Sequence, residues 1–79
     1  PQGMQAFCFM KIRLNGQDYE IERELTIDEL LQRLSIMPER VAVEVNLEVI
    51  KKANFRDFRL KEGDRVEIVN FVGGGQDAG

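Results

Sequence analysis

The sequence predicts an α+β domain in which a mixed sheet of four to five strands packs on one main helix. Three observations predict it: a hairpin signal near the start, one amphipathic helix with a capping signature, and alternating β-branched residues further along. At 79 residues, the chain has room for one domain with a single modest core.

A β-hairpin opens the predicted domain. Polar and apolar residues alternate in segments 11–14 and 17–22, and Asn15 and Gly16 stand between them. Both central positions of a type I′ turn need positive φ, which asparagine and glycine tolerate best. Cys8 lies in phase with the apolar residues of the first strand, so we interpret it as a small strand hydrophobe rather than a reactive thiol.

One helix follows the hairpin. Thr26 and Glu29 have the spacing of a capping box, in which each side chain bonds to a free amide at the helix start. An apolar stripe at i, i+3, i+4 and i+7 spacing consists of Ile27, Leu30, Leu31 and Leu34. We expect this helix to cover one face of the hairpin and Pro38 to end the connection after it.

Strands are expected after the helix at residues 41–45, 49–50 and 65–71. Turns at 46–48 and 61–64 precede the second and third of these strands. The segment at 53–60 is ambiguous. Its apolar residues, Phe55, Phe58 and Leu60, are expected to anchor either a loop or a short helical turn to the core.

This order of elements is that of the β-grasp, or ubiquitin-like, fold. In that topology the first and last strands lie side by side and parallel at the centre of the sheet. A shared fold does not assign a function. It does predict that the last strand is held on both sides, so that the residues after it project from a rigid base.

The last predicted strand runs into Gly73, Gly74 and Gly75, which we call the glycine run. Glycine is costly to order and has no side chain to pack, so we expect a flexible glycine-rich C-terminal tail. Such a tail is thin enough to enter the active site of another protein. It indicates a carrier whose C-terminal glycine carboxylate is the reacting group, and the alternative is a disordered tail without a function.

Composition excludes several kinds of site. The chain has no histidine and one cysteine, which rules out Ser-His and Cys-His pairs and an ordinary zinc site, so we predict no catalytic residues and no metal site. A net charge of −3 argues against nucleic acid or an anionic membrane as partner. No apolar run reaches membrane-spanning length, and a lone cysteine suits a reducing compartment, so we expect a cytoplasmic protein.

Three sequence runs closely resemble the ThiS family of sulfur carriers in thiamine biosynthesis. They are VAVEVN at 41–46, LKEGDRVEIV at 60–69 and FVGGG at 71–75, and the start MKIRLNG at 10–16 is similar to that family as well. The resemblance implies a carrier domain over residues 10–72 and a tail at 73–79. Residues 1–9 precede it as a tag or an alternative start, and residues 76–79 follow the glycines, whereas the active form of the family ends in glycine.

The resemblance also implies the chemistry. ATP would activate the carboxylate of Gly75, with Gly74 as the runner-up terminus, and a persulfide sulfur would then convert the acyl adenylate to a thiocarboxylate. The implied partners are an ATP-dependent adenylating enzyme, a persulfide sulfur donor and thiazole synthase as the sulfur acceptor. We also expect either a protease that removes residues 76–79 or a precursor that is inactive while they remain attached. ATP and magnesium belong to the adenylating partner. The chain itself would be a protein co-substrate without a bound cofactor, and not an enzyme.

Apolar residues next to the glycine run are candidates for partner docking. We expect the surface around Phe71 and Val72 to dock, with Leu47 and Val49 on the neighbouring hairpin as weaker candidates. Core packing is the alternative role for Phe71 and Val72. Two other function classes stay open: a molybdopterin-synthase-type small subunit or ubiquitin-like modifier, and a β-grasp interaction or RNA-binding module that is not a carrier.

Overall fold

The structure, a computed structural model, describes residues 9–71. Within these residues, one five-stranded mixed sheet has the strand order β2-β1-β5-β3-β4. Its strands are β1 (Met10–Leu14), β2 (Gln17–Ile21), β3 (Val41–Val45), β4 (Glu48–Ile50) and β5 (Arg65–Asn70). The helix α1 (Ile27–Arg33) packs on this sheet, and two short 3-10 helices cover Pro38–Arg40 and Lys52–Asn54. This confirms the predicted β-grasp fold class, while the predicted tail and Cys8 lie outside the described residues.

The opening hairpin has the predicted turn. Asn15 and Gly16 have φ values of 50° and 83°, and Leu14 pairs with Gln17 across the turn. Both φ values lie in the left-handed region that a type I′ turn requires.

The capping box at the start of α1 is confirmed. The Glu29 N–H donates to the Thr26 hydroxyl at 3.1 Å, and the Thr26 N–H donates to the Glu29 carboxylate at 3.0 Å. Ile27, Leu30 and Leu31 are fully buried. They belong to one core with apolar residues of β1, β2, β3 and β5, so the helix packs on a core that extends beyond the hairpin.

The ambiguous segment at 53–60 contains part of the second 3-10 helix and then packs along the start of α1. The Leu60 N–H donates to the Leu25 carbonyl at 2.7 Å, and the Asp28 N–H donates to the Phe55 carbonyl at 3.0 Å. Phe55 and Leu60 are buried and Phe58 is half-buried. The short helical turn, one of the two predicted alternatives, is therefore present, and its aromatic residues anchor it as expected.

Strand β5 lies at the centre of the sheet. It runs parallel to β1, with Leu14 beside Val66, and antiparallel to β3 from the Val41–Asn70 pair to the Val45–Val66 pair. This confirms that the first and last strands are parallel neighbours. Because β1 pairs only with the beginning of β5, the far half of β5 extends past the end of β1.

Candidate functional site

Two asparagine side chains hold β5 in place from its two edges. Asn15 accepts a hydrogen bond from the Ile68 N–H at 2.8 Å and donates to the Ile68 carbonyl at 3.4 Å, beyond the point where β1 ends. On the β3 side, Asn46 accepts from the Arg65 N–H at 3.0 Å and donates to the Asp64 carboxylate at 3.1 Å. These amides complete the pairing that the neighbouring strands leave open, so β5 is a rigid base for the residues that follow it.

The pairing of β5 with the β3 side continues to the last described residue. The Phe71 N–H donates to the Arg40 carbonyl at 2.9 Å, one residue past the end of the strand. Gly75 follows Phe71 by four residues. Four residues of extended chain span at most about 14 Å, so the carboxyl carbon of Gly75 stays within that distance of Phe71.

An apolar patch covers the end of the sheet where β5 finishes. We call it the strand-end patch, and it consists of Ala42, Val49, Val69 and Phe71. Ala42 pairs with Val69 on the outer face of the sheet, which is the face away from α1. Val49, Val69 and Phe71 are 68%, 53% and 57% exposed, so the patch is an apolar surface rather than part of the core.

A groove runs along this patch. Its volume is about 270 Å³, and Ala42, Val49 and Phe71 line it. The groove is also lined by Pro38, Glu39, Val41, Ile50, Lys51, Lys52 and Phe55. Phe71 is thus more than half exposed beside an apolar depression, which favours the docking interpretation over the core alternative.

The predicted docking residues do not all lie together. Phe71 and Val49 share the groove, and Val72 and the glycine run lie outside the described residues. Leu47 belongs to the turn between β3 and β4, and this turn lies beside Arg65 at the other end of β5. Six residues of strand, about 20 Å, separate the two ends, so Leu47 is remote from Phe71.

Sequence reasoning had not singled out Ala42 and Val69 for this site. The signal was available, because both lie out of phase with the buried positions of their strands. The role of Asn15 and Asn46 in holding β5 could not be predicted from the sequence pattern. Their hydrogen-bond partners lie 53 and 19 residues away in the chain, and no local pattern indicates these bonds.

Neither a metal cluster nor a membrane span is found in residues 9–71. This part of the chain has no group of three or more metal-ligating side chains. None of its helices is long and apolar enough to cross a bilayer.

Comparison with known proteins decides the family. The ThiS family model matches residues 12–75, which is most of the chain. The chain belongs to the ThiS family. The resemblance found from the sequence is thereby confirmed, and the family match includes the glycine run.

Relatives of this ThiS-family chain differ in length. It is 38% identical to the sulfur carrier protein ThiS of Bacillus subtilis (strain 168), over 81% of this chain and 98% of that protein. It is 43% identical to a thiazole synthase of Magnetococcus marinus over 85% of this chain, and spans only 21% of that protein's length. Among solved structures, thiamine biosynthesis protein ThiS from Geobacter metallireducens superposes with a TM-score of 0.74, at 36% identity over 84% of this chain and 100% of that one.

Proposed function

We propose that the chain is a sulfur carrier of thiamine biosynthesis and acts as a protein co-substrate rather than an enzyme. The observation that carries the proposal is the glycine run that directly follows Phe71 and Val72 after the central strand of a ThiS-family domain. Further support comes from the family match, which extends to Gly75, and from the full-length relative that is named a sulfur carrier.

The proposed chemistry takes place at the carboxylate of Gly75, which hydrolysis of the Gly75–Gln76 peptide bond sets free. This carboxylate attacks the α-phosphorus of ATP and releases pyrophosphate, which converts a poor electrophile into an acyl adenylate. A persulfide sulfur attacks the acyl carbon and releases AMP, and a thiol then reduces the acyl disulfide to leave a C-terminal thiocarboxylate. Glycine suits the position because the absence of a Cβ lets the reacting atoms approach closely. ATP and magnesium are bound by the adenylating partner.

The strand-end patch is the proposed docking surface for the adenylating enzyme. Gly75 stays within about 14 Å of Phe71, so an enzyme that takes this glycine into its active site has to cover the nearby surface. An exposed apolar patch at that place suits a protein interface.

Thiazole synthase is the proposed acceptor of the sulfur. In the Magnetococcus marinus relative, a segment similar to this chain makes up about a fifth of a protein named thiazole synthase. Two domains in one polypeptide are held at high local concentration, so the arrangement supports a direct contact between carrier and synthase.

The test is intact-mass spectrometry after incubation with the adenylating enzyme of the same organism, a persulfide donor, a thiol and ATP. The chain that ends at Gly75 should gain about 16 Da, the replacement of one oxygen by sulfur that acyl transfer to a persulfide leaves behind. Chains that end at Gly74 or at Gly79 are the matched controls, and both should react more slowly because a misplaced reacting group loses rate. A gain on an internal residue, or no gain on any of the three chains, would refute the proposal. Equal rates with residues 76–79 still attached would show that Gly75 is not the reacting terminus.

A further inference from the structure

Two glutamates face each other next to the strand-end patch. Glu44 of β3 is directly opposite Glu67 of β5, and the next pair along the same face is Ala42 with Val69. Glu44 is also paired with Val49 of β4, which lies on the side of β3 away from β5. The outer face of the sheet therefore changes from two carboxylates to an apolar surface within two residues along β5, from Glu67 to Val69.

The strand pairing places the two glutamates directly opposite each other. Hydrogen bonds from the Asn46 N–H to the Arg65 carbonyl (2.8 Å) and from the Phe71 N–H to the Arg40 carbonyl (2.9 Å) fix the pattern of the ladder. Because bonded pairs recur at every second residue, Glu44 and Glu67 form a hydrogen-bonded pair. The Cβ atoms of directly opposite residues lie about 5 Å apart.

Neither carboxylate forms a salt bridge within residues 9–71, and Arg65, two residues before Glu67 on the same face, pairs with neither of them. No ion pair or hydrogen bond involves the side chain of Glu44 or Glu67 in this part of the chain. The carboxylate of Asp18 in the β1–β2 hairpin, by contrast, is paired with cations: it lies 3.2 Å from the Arg13 guanidinium and 4.0 Å from the Lys11 ammonium. Like charges directly opposite each other destabilise a sheet, so this pair opposes folding instead of supporting it.

We propose that the outer face from Glu67 to Phe71 docks the adenylating enzyme and that this enzyme places an arginine side chain between Glu44 and Glu67. This inference rests on the proposed function. A guanidinium carries five N–H donors in one plane and bonds carboxylates in a forked geometry, so it can engage the carboxylates of two glutamates whose Cβ atoms lie about 5 Å apart. The adjoining patch excludes water when covered, which strengthens these bonds. The net charge of −3 on the chain also favours a basic partner surface.

Charge-removing variants test the proposal. The chain ending at Gly75 is prepared as Glu44→Gln, Glu67→Gln and the double variant, and KM and kcat are measured from pyrophosphate release. The double variant should show KM raised by about tenfold or more, because two charge-assisted hydrogen bonds are weakened, with kcat unchanged. Glu48→Gln is the matched control, since Glu48 is an exposed glutamate of β4 that pairs with the buried Val45 and so lies on the opposite face of the sheet from the patch. Its KM should stay within about twofold of the parent, as expected for a surface charge outside the interface.

Stability measurements separate an interface role from a structural one. Removing one of two opposed charges should leave each Gln variant at least as stable as the parent in urea, although it binds more weakly. The double Glu44→Asp, Glu67→Asp variant keeps both charges and should keep KM within about threefold, since the partner cation is still satisfied. An unchanged KM in the double Gln variant would overturn the proposal, and so would a loss of stability that accounts for the rise in KM.

The proposed function and this inference fail in different ways. If none of the chains that end at Gly74, Gly75 or Gly79 releases pyrophosphate, the carrier function itself is wrong. The docking inference then stands only if the double Gln variant of the 79-residue chain binds the adenylating enzyme more weakly than the unmodified chain in titration calorimetry. If the parent reacts but the Gln variants match it, only the docking inference is wrong. The same titration with thiazole synthase is the third arm, and an effect of the Gln variants on that partner alone would show that the adenylating enzyme is the wrong occupant.

Discussion

Leu47 occupies a backbone conformation that favours glycine. Its φ is 73°, in a two-residue turn of the same kind as the one that holds Gly16 at 83°. The side chain is 83% exposed, so packing contributes little to keeping leucine there. We therefore predict that Leu47→Gly is more stable than Leu47→Ala, which reverses the order found at ordinary backbone positions.

The magnitude follows from two opposing effects. A residue with a Cβ costs about 1–2 kcal/mol in the left-handed region, and glycine loses about 0.5–1 kcal/mol more conformational entropy on folding. The middle of the two ranges leaves Leu47→Gly about 0.75 kcal/mol more stable than Leu47→Ala. For a domain of this size this corresponds to about 3–6 °C in Tm.

Urea and thermal unfolding followed by circular dichroism measure this difference. Gly16→Ala is a matched test, because an added Cβ at Gly16 would meet no atom within 4 Å and only the backbone conformation would be penalised. Gln32, an exposed residue of α1, is the control position at which the order should be reversed: Gln32→Ala should be about 1 kcal/mol more stable than Gln32→Gly. If Leu47→Ala proved as stable as Leu47→Gly while Gln32→Ala was more stable than Gln32→Gly, the conformational argument would be refuted.

Three further predictions concern docking, core packing and pH. Phe71→Asp should weaken binding to the adenylating enzyme at least about tenfold without unfolding the domain, because Phe71 is exposed. Leu47→Asp, at the other end of β5, is the control and should bind like the parent. Unfolding of Phe71→Asp would favour the core alternative. Leu30→Ala should cost about 2–5 kcal/mol in urea unfolding, because Leu30 is fully buried, and a loss under about 1 kcal/mol would contradict the core assignment. The hydrogen bond from the Thr26 main-chain N–H lowers the pKa of the Glu29 carboxyl. Because its pKa is lower in the folded state, the ionised Glu29 carboxylate stabilises the fold at pH values above the ordinary glutamate pKa of about 4.3. This stabilisation is lost as the pH falls through the folded-state pKa. The stability difference between the parent and Glu29→Gln should therefore shrink from pH 7 to pH 3, and a constant difference would contradict this.

Local features of the sequence predicted the local structure. The Asn15-Gly16 turn and the Thr26–Glu29 capping box depend on bonds and φ values within a few residues of the chain, and both are present. The alternation in β3 likewise predicted which of its residues are buried. The segment at 53–60 was ambiguous because its bonds reach distant residues, such as Leu25 for the Leu60 N–H.

The sequence by itself determined the element order, the fold class and the position of the glycine run after the last strand, because periodicity, turn chemistry and composition are properties of neighbouring residues. Alternation also determined which residues of β3 face the core. Only the tertiary structure decided which residues stand opposite one another. The antiparallel register of β3 and β5 places Glu44 against Glu67 and puts Leu47 at the far end from Phe71. That register depends on hydrogen bonds between residues more than 20 positions apart, such as Ala42 and Val69, and no local pattern specifies it.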